Sequence, residues 1–286
     1  MAAARIPLDG PIPRPPLYGL TSVATEVTQD IRGGAVIVPY PAALPNALDP
    51  CSEGTETKDI PDSLVIPDGF PVFDAYLGEV CTAYNIGDWG EWQSRANVAL
   101  AARTTWALER QLVNAQFQAT MGNADVPYLG DAELDVVVGG AVPARVALAY
   151  LDGAIASTGI EGIIHITPEV ATYVGWEALR DDRGTLRTAS GTRVVVGQGY
   201  SSASLDTLDF PGAAPPDGEA AAAAGQSWIY ATGPVLYQQG AIFAGPPDLG
   251  EALDRDTNEV IYRAERPLWV GWDAQLQAAV LADWSP

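Results

Sequence analysis

Histidine and lysine each occur once in this chain of 286 residues, and cysteine twice. These shortages exclude much chemistry. A hydrolytic triad needs a base beside its nucleophile, and His165 lies inside the apolar run Ile163–Ile166, followed by Thr167-Pro168, where it reads as structural. No Gly-x-Ser-x-Gly elbow occurs. With Lys58 as the sole lysine there is no Gly-Lys-Ser/Thr phosphate loop, and Gly197-Gln198-Gly199-Tyr200 lacks a third glycine. A Schiff base would have to use Lys58, whose amine stays protonated in its acidic surroundings. Cys51 and Cys81 read as free thiols in preference to a disulfide, and one histidine with two unclustered cysteines makes no zinc site. No apolar run reaches the length of a membrane span, and the opening MAAARIPLDGPIPRPP reads as no secretory signal.

Basic residues are also scarce: 36 acidic groups face 15 basic ones, for a net charge of −21. Phosphate binding needs clustered Lys and Arg, so a nucleic-acid clamp is not expected. Fourteen of the fifteen basic residues are arginine, which suits planar pairing at interfaces; GC-rich coding would give the same bias. Carboxylates are plentiful, so counting alone leaves a glycosidase pair open. Asp254, Asp256, Asn258 and Glu259 have calcium-loop spacing but lack the glycine of the sharp turn, and read as an acidic turn. Composition is otherwise that of a folded chain, with 48% apolar residues.

Residues 1–50 carry Pro11, Pro13, Pro15, Pro16, Pro39, Pro41, Pro45 and Pro50, which deny them a long helix. They read as an extended arm, with Val23, Val27 and Ala35–Val38 available for short strands, and such an arm must lie on something else. Residues 51–87, interrupted by Pro61, Pro67 and Pro71, suit a long excursion or a hairpin. From Trp89 to Gly122 there is no proline and no glycine after Gly90, and Trp92, Ala96, Ala99, Trp106, Val113 and Phe117 recur at helical spacing. A helix of about 30 residues, roughly 45 Å long, is predicted there.

A second helix is expected from about Pro143 to Ser157, with Leu148, Leu151 and Ile155 inward and Gly159 beyond it. The buried strand Ile163–Ile166 follows, then a third helix capped by Thr167-Pro168 and running to about Leu179. Asp181-Asp182-Arg183-Gly184 reads as a turn, and two β-type stretches follow it, 184–189 and 192–196. Residues 201–227 are a low-complexity loop, and 228–284 alternate as strands. Eight tryptophans first suggest core packing, then subunit interfaces.

The order of these elements resembles the capsid fold shared by tailed-phage major capsid proteins and encapsulin shells. The local match is Ile163-Ile164-His165-Ile166-Thr167-Pro168-Glu169 and its helix, the turn Asp182-Arg183-Gly184, and Gly191-Thr192-Arg193-Val194-Val195-Val196. The long helix with Ala102, Ala107, Leu108 and Glu109 is similar to the family's spine helix. The resemblance implies an α+β capsid-type fold: an N-terminal arm (1–45), a projecting extended loop (46–87), then a spine helix and interleaved peripheral and axial regions (88–286). It implies a structural virion protein, made in the host cytoplasm, that assembles with copies of itself into pentamers and hexamers around DNA. Decoration, scaffold and portal proteins would be its other partners, with no catalytic residue, cofactor, metal or membrane. Some relatives cross-link a loop lysine; Lys58 lies in the right region but reads as solvated. Any scaffold is expected to be a separate protein. Three rival readings stand beside this one: a minor capsid, decoration or head–tail connector protein, an encapsulin-like compartment, and a carbohydrate-active hydrolase.

Overall fold

The computed structural model describes residues 12–28, 34–35, 37, 69–82, 89–114, 127–130, 134–200, 215–246, 253–254 and 259–285. Cys51, Lys58, Phe117, Gly122 and Asp256 lie outside them, as do most of the loop 46–87 and the low-complexity stretch to residue 214.

The proline-free segment forms helix α1 over Trp89–Asn114. Its inward stripe runs through Ala96, Leu100, Ala107, Leu108, Leu112 and Val113. Trp106, expected on that face, is 37% exposed and points outward. The buried stripe also takes in the polar Thr104, Thr105, Glu109 and Gln111, which turns the helix away from the face that its apolar residues alone define.

Helix α1 packs on a six-stranded sheet organised by one long strand. Strand β1 is Thr25–Glu26, β2 Phe73–Thr82, β10 Val235–Gln239, β11 Phe243–Gly245, β12 Leu253–Asp254 and β13 Glu259–Trp272. Along one edge β13 pairs antiparallel with β10, β11 and β12 in turn, and along the other with all ten residues of β2. Cys81 lies on β2 opposite Val260. The arm adds β1 parallel to β10.

The second sheet holds eight strands. They are β3 (Asp135–Val136), β4 (Val142–Pro143), β5 (Ile163–Ile166), β6 (Leu179–Asp182), β7 (Thr185–Thr188), β8 (Arg193–Val196), β9 (Gln226–Thr232) and β14 (Gln277–Asp283). Side chains alternate between its faces. Trp228, Tyr230, Ala279, Ile163 and Val195 join the core beneath α1 and the arm, whereas Ile229, Val280, Ile164, Ile166 and Val194 pack on two further helices. With both faces covered, the central strands read as unbroken apolar runs.

Those helices are α2, Ala144–Thr158, and α3, Pro168–Val174. Leu148, Leu151 and Ile155 of α2 point inward as expected, and Gly159 ends it at φ 68°. Pro143 is the residue before the helix and also closes β4. Helix α3 stops well short of Leu179, because Gly175 (φ 65°) terminates it and Leu179 opens β6. The expected turn is tighter than Asp181–Gly184: both aspartates belong to β6, and Arg183 (φ 56°) with Gly184 (φ 86°) forms a two-residue hairpin loop. Two successive positive φ angles are what the twist of a hairpin favours. The alanine run 220–224 is irregular, not helical, and β9 begins at Gln226, inside the segment read as loop.

Candidate functional site

The chemistry-bearing groups collect where the arm, α1 and the turn after β8 meet. After Pro13, Pro15 and Pro16 the arm closes into one 3-10 turn at Leu20–Ser22, with Leu20 fully buried. Val196 N–H donates to the Tyr18 carbonyl at 2.9 Å, and Arg193 Nη1 donates to the Val23 carbonyl at 3.0 Å. Thr21 and Thr105 share a hydroxyl hydrogen bond of 2.9 Å.

At the centre is Glu109, fully buried in the C-terminal third of α1. Its Oε1 accepts the Leu20 N–H at 2.9 Å and its Oε2 the Gly199 N–H at 2.8 Å. Burial raises its pKa to about 7, although N–H groups of Gly199, Leu20 and Gln198 pull the other way. Two glycines make the approach possible. A Cβ at Gly19 would lie 2.7 Å from Thr105 Cγ2, and one at Gly199 only 2.6 Å from the Trp106 carbonyl.

Next to it, His165 is buried and has both ring nitrogens engaged. Nδ1 shares a hydrogen with the Tyr200 hydroxyl at 2.7 Å and Nε2 with Thr232 Oγ1 at 2.9 Å. Burial depresses its pKa to about 3 and pushes that of Tyr200 up. With no path to solvent and no free nitrogen, this imidazole is a cross-link between β5, β9 and the turn. A second polar tie joins α1 to β13, where Arg266 donates to the Gly240 carbonyl at 2.7 Å and to Thr104 Oγ1 at 3.2 Å. Among the described residues, no three His, Cys, Asp or Glu side chains gather as a metal site, and no helix is long and apolar enough to cross a membrane.

Among the described residues, two surfaces are apolar and open. A groove of about 550 Å³ runs between the arm, β2 and the outer face of α1, lined by Pro13, Pro16, Tyr76, Arg103 and Trp106 among others. On the other side Val146 and Tyr150 of α2 lie exposed, as do Tyr173 of α3 and Trp176, which is 68% exposed. The tryptophans accordingly divide: Trp228, Trp269 and Trp272 are core, whereas Trp106 and Trp176 face outward. Sequence reading placed Glu109 on the spine helix without seeing its role. The available signal was a lone carboxylate between Leu108 and Leu112 on the inward stripe.

No protein-family model matches the sequence, and no curated protein matches it either. Solved structures do match, over almost the whole length. One from Gordonia phage Cozz has a TM-score of 0.54 at 13% identity, covering 98% of this chain and 90% of its own. The SrpI encapsulin of Synechococcus elongatus gives 0.54 at 12% identity, covering 100% and 94%. The capsid of an empty GTA particle gives 0.52 at 11% identity, covering 98% and 100%. The chain has the fold of capsid and encapsulin shells. In that frame α1 is the spine helix, lying across β13 and β2 of the six-stranded sheet, and the eight-stranded sheet carries α2 and α3.

Proposed function

We propose that the chain is a virion structural protein, a subunit that associates with copies of itself to close an icosahedral phage head around DNA. The observation that carries this reading is the fold itself, matched from end to end by shell subunits. A long helix laid across a sheet also argues against a small decoration protein, for which such an element would be superfluous. The subunit's surface is consistent: two apolar, aromatic-bearing patches lie on opposite sides, the arrangement that a ring of heterologous contacts requires. Pentamers and hexamers are the expected intermediates, with decoration, scaffold and portal proteins as further partners and the virion as the destination. The acidic surface would repel packaged DNA and leave the genome free to exit. On this reading the arm (1–45), extended loop (46–87) and remaining regions (88–286) are assembly devices, and no step of catalysis is assigned to any residue.

The test is purification of the untagged protein, with negative-stain microscopy and light scattering. Closed shells or discrete pentamers and hexamers support the reading, and a monomer of about 30 kDa at every concentration overturns self-sufficient assembly. Nuclease-protected DNA inside shells from infected cells distinguishes a phage head from a compartment of the encapsulin kind, which would hold a partner protein.

A further inference from the structure

The junction at Glu109 places a fully buried carboxylate against three backbone N–H donors, with no cation among the groups that shift it. We propose that seating of the N-terminal arm on the spine helix is coupled to proton uptake by Glu109, so that acid tightens the arm and a rise in pH toward neutrality loosens it. The sign follows from solvation. Ionised, the carboxylate loses its water when Leu20 closes over it and gains only neutral donors in return, a poor exchange for a buried charge. Protonated, it carries no charge to desolvate; its carbonyl oxygen still accepts one backbone N–H, and the smaller loss is the second N–H, which faces the new hydroxyl.

The other polar groups around the junction do not set this sign. On α1 itself, Thr105 is uncharged and the Arg110 guanidinium lies 5.3 Å over the Trp106 ring. The arm contributes Arg14, Tyr18 and, further along, Glu26. From the turn comes Tyr200, held by His165 of β5. Burial keeps Tyr200 and His165 neutral between about pH 5 and 8. Glu109 titrates near 7 when covered, against 4.5 for an ordinary glutamate. The covered pKa is the higher one, so seating is strongest below about 4.5. It weakens as the pH climbs to about 7, by at most about tenfold per unit.

The inference concerns one chain and stands whether or not copies assemble. The test is amide hydrogen exchange on the full chain from about pH 5 to 7.5, as protection factors corrected for intrinsic pH dependence. Glu109→Gln, similar in size but unable to ionise, is the partner sample. In the wild type, protection of peptides containing Leu20 should fall by at least about tenfold over this range while Ile163–Ile166 holds steady. E109Q should show no such fall. A flat wild-type profile overturns the proposal, as does an unchanged slope in E109Q. Should E109Q fail to fold, Tyr200→Phe decides: it keeps the slope if Glu109 carries the proton, and its loss reassigns the proton to the His165–Tyr200 pair.

Discussion

The two sheets are built on opposite plans. In the eight-stranded sheet, β5 to β8 come from 34 consecutive residues, Ile163 to Val196, and both faces are covered by apolar side chains from α1, α2 and α3. The six-stranded sheet instead stitches together arm, β2 and C-terminal strands, with Phe73 pairing across the chain to Leu268. It exposes Tyr76 and Phe243 and forms one wall of the open groove. The eight-stranded sheet is covered on both faces, by a core shared with α1 and the arm and by α2 and α3, so its open apolar surface lies on the outer side of those helices. The six-stranded sheet leaves apolar side chains of its own strands open for something else to cover.

The contrast breaks most sharply under a buried charge. Val280→Asp puts a carboxylate into the middle of the two-faced sheet, at a position with no exposure. It should cost more than about 4 kcal/mol and leave no cooperative urea transition. Tyr76→Ser, at a 71% exposed position on β2, should shift the same transition by less than about 0.5 kcal/mol. Comparable losses in both variants would erase the distinction.

A smaller break concerns the polar cross-link. His165→Leu removes a partner from the Tyr200 hydroxyl and from Thr232 Oγ1, at a cost of about 1–3 kcal/mol. It should also expose a hidden pH dependence. His165 titrates near 3 folded against 6.5 ordinarily, so its contribution is full above 6.5 and is lost as pH falls toward 3. Glu109 does the reverse, its contribution being full below 4.5 and lost as pH rises through about 7. Between about pH 4.5 and 6.5 the two slopes oppose and nearly cancel. In His165→Leu only the glutamate slope survives, and denaturation midpoints should fall steadily from about pH 5 to 7. Midpoints that rise over that interval would contradict the assignment.

Much of the eight-stranded region was readable from local signals. The apolar run of β5, the valines of β8, the Arg183-Gly184 loop and Gly159 after α2 each follow from a few adjacent residues. In the six-stranded region the alternation of residues 228–284 marks the C-terminal strands, but the parts played by the arm and β2 were not readable, because those strands find partners about 180 to 210 residues away, a distance no local pattern encodes. Residues 51–87 suit a long excursion or a hairpin, and neither reading tells that Phe73–Thr82 is a ten-residue strand paired along its whole length with β13. The long helix was legible as an element but not in its orientation, since Thr104, Thr105, Glu109 and Gln111 turn inward to meet polar groups of other segments. Glu109 is the sharpest case. Its role depends on where Leu20 and Gly199 arrive, and nothing near residue 109 announces that.

The smallest effect on folding should be the most telling for assembly. Trp176, 68% exposed just beyond α3, is one of three exposed aromatic residues carried by or next to α2 and α3, with Tyr173 and Tyr150. Trp176→Ala removes little buried area within the subunit, so its unfolding free energy should stay within about 0.5 kcal/mol of wild type. If this surface is a contact between copies, the same change removes an aromatic anchor of about 2 kcal/mol from every such contact. Light scattering should then find the threshold concentration for assembly raised at least about tenfold. An unchanged threshold would move the contact elsewhere, and Trp106→Ala in the groove becomes the discriminating variant. There too the subunit should fold normally while association weakens, because Trp106 turns its ring away from the core that α1 otherwise helps to fill.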